Sequence, residues 1–299
     1  MDASLIPALH DALVVAQTGS VGEAARRLHK TASAVSQQLR RVEERFGVAL
    51  FEKHGRGVRL SPAGEAALGA LTRLFDEVDS LEVQLGELAG ARVTTLRVAA
   101  SDYLGEALLL PVLRRLFGEG APLRFEINTT NSIEAARLIA AGQADVAMVS
   151  TDGARPLGPD ETMLCTQAFF WVAPKRAGSM AKRAEDLRAR LAREPLLRLG
   201  PGSQGRRALD ELVGRMRLRP LSTIDVPSVS LMLSYARQGM GVGLVPGLAL
   251  RPDDRARLTI DRAEAPAQSV RLVCRPTLKR TRPVARFLDA LAEEARRRS

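Results

Sequence analysis

The stretch SVGEAARRLHKTASAVSQQLRRVEERFG, residues 20–47, constrains this chain more than any other, because it sets two helical patterns around a very short break. Ser20 and Glu23 have capping-box spacing and open a helix over about 21–28. Leu28-His29-Lys30 interrupts it, and Thr31 can cap a second helix from Ala32 to Phe46, which Gly47 stops. In that second helix Val35, Leu39, Val42 and Phe46 fall on one stripe, with Ser33, Ser36, Gln37 and Arg40 opposite. Two helices so closely joined match a helix-turn-helix. The second helix of such a unit enters the DNA major groove, its first residues toward base edges. Thr31 and Ala32 stand at that end; Ser and Gln can donate and accept there, and Arg suits guanine or phosphate. An amphipathic helix with a merely solvated polar side has the same pattern, so the face alone leaves both readings open.

Two neighbouring features bear on that choice. GVALFEKHGRGVRLSPAG reads as a hairpin wing whose tip, KHGRG, places Arg56 to touch the DNA backbone or minor groove. Basic hairpin tips also occur on surfaces without that role. Beyond it, Ala67, Leu71, Leu74, Val78, Leu81, Leu85 and Leu88 are spaced by alternating fours and threes, an a/d seam for pairing with a second helix. The alternative is a single helix buried against its own chain. Leu68 and Phe75 lie off the seam, where they can pack on the segment before them.

With 299 residues the chain has room for several cores, and 45% apolar with 26% charged residues is ordinary globular composition. The opening MDASLIPALH lacks a basic segment ahead of its apolar residues, and no apolar run approaches the ~18 needed to span a bilayer. A cytoplasmic protein without membrane association is the expectation. Cys165 and Cys274 are the only cysteines and stand in apolar strand patterns, as does Trp171, so all three read as core. His10, His29 and His54 are scattered, and neither a metal site nor a cofactor is expected. The net charge of +10 suits a nucleic-acid partner, but it is spread unevenly. Residues 20–60 hold nine Lys/Arg against four Asp/Glu, 61–92 hold two against six, and 175–219 hold thirteen against five. Basicity therefore does not single out the helix-turn-helix.

From about residue 94 strand and helix patterns alternate: TLRVAAS, LGEALLLPVLRRLFG, LRFEINTTNS, IEAARLIAAG, ADVAMVS. That order implies a parallel α/β sheet with right-handed crossovers, whose ligands bind beyond the carboxyl ends of the strands. A second unit begins near AFFWVAP and contains LGPGSQGRRALDELV, a Gly-rich turn into a helix, without the Lys-Ser/Thr ending of a P-loop. The strand QSVRLVCRP and the helix 283–298 are expected to return to the first sheet.

Residues 13–64 resemble the winged helix-turn-helix of LysR-type transcriptional regulators. The resemblance rests on Gly19-Ser20, Ala24-Ala25, Leu28, Ser33-Ala34-Val35-Ser36, Gln38, Glu43, Gly47, Leu50-Phe51 and Ala63-Gly64. Ala32-Ser33 stands where the family usually has Gln-Pro, so the operator sequence is not transferable. The resemblance implies three parts: a DNA-binding domain over 1–61, a dimerising linker helix over 62–91, and an effector-binding domain over 92–299. The last would be two-lobed and similar to periplasmic binding proteins, with lobe 1 about 92–165 and 268–299 and lobe 2 about 166–267. By position, Ser101, Asn131, Ser132, Gly202, Ser203 and Ser228 would rim its cleft, each being equally a plain helix cap; Arg206 and Arg207 could favour an anion, the alternative being ordinary surface charge. The implied partners are double-stranded promoter DNA, a small-molecule effector, one or three further copies of the chain, and RNA polymerase. A regulator that needs no ligand and an enzyme acting on the cleft ligand are the competing readings; no convergent acid, base and nucleophile set supports the second.

Overall fold

The computed structural model describes residues 5–55, 57–88, 94–121, 123–153, 156–158, 160–175, 184–275, 278 and 281–298. Its contacts divide the chain into two units, Met1–Arg92 and Val93–Ser299.

The first unit begins with helices α1 (Ile6–Thr18), α2 (Val21–Arg27) and α3 (Ala32–Phe46). Ala12, Val14, Val15, Ala24, Ala25, Val35 and Leu39 form their shared core. Between α2 and α3 His29 adopts a left-handed conformation with φ 53°. The next residue, Lys30, reaches both carboxylate oxygens of the buried Asp11 at 2.7 and 2.8 Å, tying the turn to α1. Only half of the capping box forms. Ser20 Oγ accepts the Glu23 N–H at 3.3 Å, but the Glu23 carboxylate pairs with Arg26 and the Ser20 N–H donates to Thr18 Oγ1. The apolar stripe of α3 is also shorter than its pattern: Val35, Leu39 and Val42 are buried, whereas Phe46 is 55% exposed. Gly47 turns the chain away at φ 69°, so the last helical turn runs past the core.

Strands β1 (Phe51–His54) and β2 (Gly57–Leu60) pair antiparallel as the wing, with His54 opposite Gly57. Arg56, at its tip, lies outside the described residues. The wing is seated by close backbone approach. Val58 N–H donates to Gly19 O at 2.9 Å, and a Cβ on Gly57 would stand 2.5 Å from that same oxygen. Glu43 Oε1 accepts the N–H groups of Leu50 (2.8 Å) and Phe51 (3.3 Å), anchoring the strand to the side of α3.

Helix α4 (Pro62–Leu88) follows at once. Gly64 sits where a Cβ would lie 2.1 Å from Leu50 O, which is what lets the helix start hard against the wing. Ala67 packs on the small core of Ala8, Val42 and Leu50, and Phe75 meets His10 edge-on at 5.1 Å. The near end of the heptad pattern is thus used inside the unit. Further along, Leu74, Val78, Leu81 and Leu85 are 39–56% exposed, while the Leu88 side chain and residues 89–91 fall outside the description.

The second unit holds two five-stranded sheets. The first, in the order β4-β3-β5-β12-β6, comprises β3 (Thr94–Ala100), β4 (Leu123–Thr129), β5 (Val146–Asp152), β6 (Glu161–Gln167) and β12 (Gln268–Cys274). β3, β4 and β5 are parallel; β12 runs antiparallel to both β5 and β6, so the sheet is mixed rather than the parallel one read from the βαβαβ order. The second, in the order β11-β7-β10-β8-β9, comprises β7 (Phe169–Pro174), β8 (Leu196–Leu199), β9 (Thr223–Val226), β10 (Val242–Pro246) and β11 (Leu258–Arg262). Here too the parallel part, β8, β9 and β10, is closed by antiparallel neighbours.

The single helix expected over 104–118 is instead α5 (Asp102–Leu104), a π-turn (Gly105–Leu109) and α6 (Leu110–Gly118). The wide turn keeps Leu104, Leu108 and Leu109 all in the core. The other helices are α7 (Ser132–Ala140), α8 (Ala184–Leu191), α9 (Gln204–Arg215), α10 (Val229–Arg237), the single turn α11 (Asp254–Arg257) and α12 (Arg282–Arg298). Cys165, Cys274 and Trp171 are all buried.

Candidate functional site

Two surfaces bring the expected site residues together. On the first unit, Thr31 Oγ1 accepts the Ala34 N–H at 3.2 Å and lies 3.0 Å from Ser33 Oγ, closing the start of α3. Behind it Ser36 is half-buried, and Gln37 and Arg40 stand exposed along the same side; none of these three has a hydrogen bond or ion pair among the described residues. The buried Val35, Leu39 and Val42 clamp the helix from the other side, so this face is held out by the core while its polar groups stay unspent. Such a convex, donor-rich helix surface has the dimensions of a major-groove reader.

On the second unit, a cavity of about 820 Å³ opens between the ends of the two sheets. Ser101, Asn131, Ser132, Gly202, Ser203 and Ser228 all line it. β3, β4, β8 and β9 end there and hand over to helix starts. Asn131 Oδ1 accepts the N–H groups of Ile133 and Glu134, both at 3.0 Å, to cap α7. Ser203 Oγ accepts from Arg206 N–H at 3.1 Å to cap α9, and Ser228 Oγ accepts from Leu231 N–H at 3.2 Å to cap α10. Ser101 differs: its Oγ is out of contact with solvent and makes no hydrogen bond of acceptable geometry, although it lies near enough to the Tyr103 hydroxyl to favour the ionised phenol slightly. Ser132 Oγ is spent on the Ser150 N–H at 2.8 Å.

Sequence reasoning missed the floor of the cavity. Tyr103 OH lies 2.8 Å from Ser150 Oγ and accepts from Gln167 Nε2 at 3.0 Å, and the same amide group also donates to Gln268 Oε1 at 3.0 Å. Gln167 Oε1 accepts the Leu248 N–H, so this buried network joins the last residue of β6, the first of β12 and the loop after β10. Burial pushes the Tyr103 phenol up to about 12, the hydrogen bonds from Ser150 and Gln167 offsetting part of that rise. No local pattern marks these residues; each stands beside another polar residue, three of them at or near strand ends, where a solvated side chain reads the same. Asp102 Oδ2 accepts the Ser230 N–H at the start of α10 at 2.7 Å, a bond from the first sheet's side of the cavity to the second's. Ile133, Val149, Phe169 and Leu199 supply apolar wall. Of the two arginines after the Gly-rich turn, Arg206 is held by Asp210 (2.9 Å) and Asp225 (3.6 Å), whereas Arg207 lines the cavity.

A winged helix-turn-helix with an unspent polar face on its second helix, on one chain with a two-sheet unit that encloses a cavity, defines the class of DNA-binding regulators carrying a ligand-binding domain. Two family models match this chain: "Bacterial regulatory helix-turn-helix protein, lysR family" over residues 7–65 and "LysR substrate binding domain" over residues 89–296. The chain belongs to the LysR family of transcriptional regulators. It is 27% identical over 273 residues to a probable nitrogen assimilation transcriptional activator of Synechococcus elongatus, covering 90% of this chain and 83% of that protein. Full-length LysG from Corynebacterium glutamicum, solved with bound effector arginine, superposes with a TM-score of 0.64 at 20% identity, covering 98% of each chain. Full-length CbnR, solved with its target DNA, superposes with a TM-score of 0.52 at 21% identity, covering 98% of this chain and 99% of that one. Among the described residues, no helix is long and apolar enough to cross a membrane.

Proposed function

We propose that this regulator reads promoter DNA through the exposed side of α3, as a dimer or tetramer, and that a small molecule bound in the cavity of the second unit sets its activity. The observation that carries this reading is the pairing of buried Val35, Leu39 and Val42 with the unspent Ser36, Gln37 and Arg40 on one helix. Thr31, Ala32 and Ser33 meet the groove first, and Arg56 of the wing contacts backbone or minor groove beside it. Residues 1–61 form the DNA-binding domain and 62–91 the linker, whose exposed Leu74, Val78, Leu81 and Leu85, with Leu71 and Leu88 continuing the spacing, pair with another copy. Pairing two recognition helices matches a site of two half-sites. CbnR bound to its target DNA and LysG bound to arginine are the related cases that support the two roles.

Residues 92–299 are the effector domain, with Ser101, Asn131, Ser132, Gly202, Ser203 and Ser228 around the ligand. The ligand biases one arrangement of the subunits and is released unchanged. Chemistry on it is disfavoured because Asp102 accepts a main-chain N–H, Glu161 pairs with Arg271 at 3.0 Å, and the Tyr103 phenol holds its proton. The protein works where promoter DNA is, in the cytoplasm.

Selection of genomic fragments by the full-length protein tests this. The expected result is a restricted set sharing paired half-sites about one or more helical turns apart, with occupancy altered by a small-molecule extract of the cells. Recovery of fragments without a common element would overturn the DNA reading.

A further inference from the structure

The charges around the cavity do not balance, and the imbalance sits at one helix. Four helices, α5, α7, α9 and α10, begin at the cavity, and each presents the positive end of its dipole there. At α5 the acidic Asp102 stands in the first turn. At α10 the Asp102 carboxylate already answers that charge. At α7 the Asn131 side chain takes two N–H groups and Glu134 stands in the first turn. The start of α9 has neither: its first turn holds no acid and carries Arg206 and Arg207, cations at the end where cations are unfavourable. Arg206 is neutralised by Asp210 and Asp225. The guanidinium of the exposed Arg207 has no ion pair or hydrogen bond among the described residues, and helical side chains lean back toward the first turn. Ser203 Oγ satisfies only the Arg206 N–H, leaving the N–H groups of Gln204 and Gly205, both on the cavity wall, without a protein acceptor among the described residues.

We infer that the ligand of this cavity is an organic anion whose acidic group is held at the start of α9 by Arg207 and the N–H groups of Gln204 and Gly205, its apolar body lying against Ile133, Val149, Phe169 and Leu199. This rests on the effector reading given above and narrows it to a chemical class. The apolar wall suits a carboxylate on a carbon skeleton better than a small inorganic ion. Arg207 is then a specificity-determining residue: a guanidinium forks onto a carboxylate in two parallel hydrogen bonds, and no charged group here is placed to welcome a cation at that point. Basic ligands would meet the dipole and Arg207 with the wrong sign.

The test uses the full-length protein, thermal unfolding and calorimetry, with probes matched in skeleton and differing in charge: benzoate, benzamide and benzylamine; hexanoate, hexanamide and hexylamine; phenyl phosphate; and L-arginine. Charge-fractionated small-molecule extract of the cells is run beside them. Stabilisation is expected from the acids and from the anionic extract fraction. Phenyl phosphate outperforming the carboxylates would move the acid class from carboxylate to phosphate. Arg207→Gln should weaken anion binding by about ten- to a hundredfold, with Arg207→Lys intermediate and the exposed Arg193→Gln unchanged. Equal melting of the unliganded variants shows that the loss is not one of folding. Binding by the amides or amines in preference to the acids, or anion binding that survives in Arg207→Gln, overturns the inference while leaving an effector site in place. Silence from every probe and every fraction overturns the effector reading itself, and this inference with it.

Discussion

The polar face of α3 proposed to read DNA and the cavity are both polar surfaces lined by serines, yet they are built in opposite ways. The face is convex and local: Ser33, Ser36, Gln37 and Arg40 come from eight consecutive positions of one helix, and the side chains of Ser36, Gln37 and Arg40 make no hydrogen bond or ion pair among the described residues. The cavity is concave and assembled over long range, from residues as far apart as Ser101 and Gln268. Its polar groups also hold the fold together: Asn131, Ser203 and Ser228 cap helices, and Tyr103 and Ser150 belong to a buried network. A surface that is only displayed can change its reading at little cost to stability. A surface made of caps and buried hydroxyls cannot, because each substitution also removes a partner from a main-chain or buried group.

The exposed seam of α4 is the sharpest way to break that contrast, since it is local like the face but apolar. Leu74→Asp with Leu81→Asp should convert the oligomer to monomer in sedimentation, with DNA binding lost as a consequence, while the first unit melts within about 0.5 kcal/mol of the parent because both side chains are exposed within the chain. An intact oligomer would sink the seam. Next in size, Ser36→Ala with Gln37→Ala should cost about 1–3 kcal/mol of affinity for the selected site, leave binding to random DNA in place, and leave the melting temperature alone. Equal losses on both DNAs would mean that the face touches only phosphate.

The smallest effect is expected at the cavity floor, and there it should fall on stability. Tyr103→Phe leaves Ser150 and Gln167 short of a partner and should destabilise by about 1–2 kcal/mol. Its pH signature separates it from a packing defect. The folded state holds the phenol proton up to about 12, while the unfolded chain loses it near 10, so this contribution is full below 10 and is lost as the pH climbs through the interval. The Phe variant should lack that alkaline limb; an unchanged limb would assign it to other groups.

Legibility followed the same division. Most of what depends on a few adjacent residues could be read: the caps Ser20, Thr31, Asn131, Ser203 and Ser228, the stop at Gly47, the wing and the long helix, though not the partner of Glu23 or the π-turn at Gly105–Leu109. What failed were patterns whose outcome depends on a distant neighbour. Phe46 matches the period of Val35 and Val42, but the core ends a turn before it. Strand direction in the first sheet could not be read from local order, because β12 arrives from more than a hundred residues downstream and runs against β5. Arg206 and Arg207 are alike in sequence; Asp225, on another strand, helps neutralise one and leaves the other at the cavity.

By itself the amino-acid sequence determined the helix-turn-helix, the wing, the long helix and the positions of most helix starts, because capping and periodicity act within one or two turns of chain. Only the tertiary structure decided that Gly57 and Gly64 must lack a side chain, that Tyr103, Ser150, Gln167 and Gln268 meet in one buried network, and that the start of α9 keeps an unanswered positive charge. Those outcomes are set by which backbone oxygen or carboxylate approaches from elsewhere in the chain, a matter of packing geometry that no local pattern encodes.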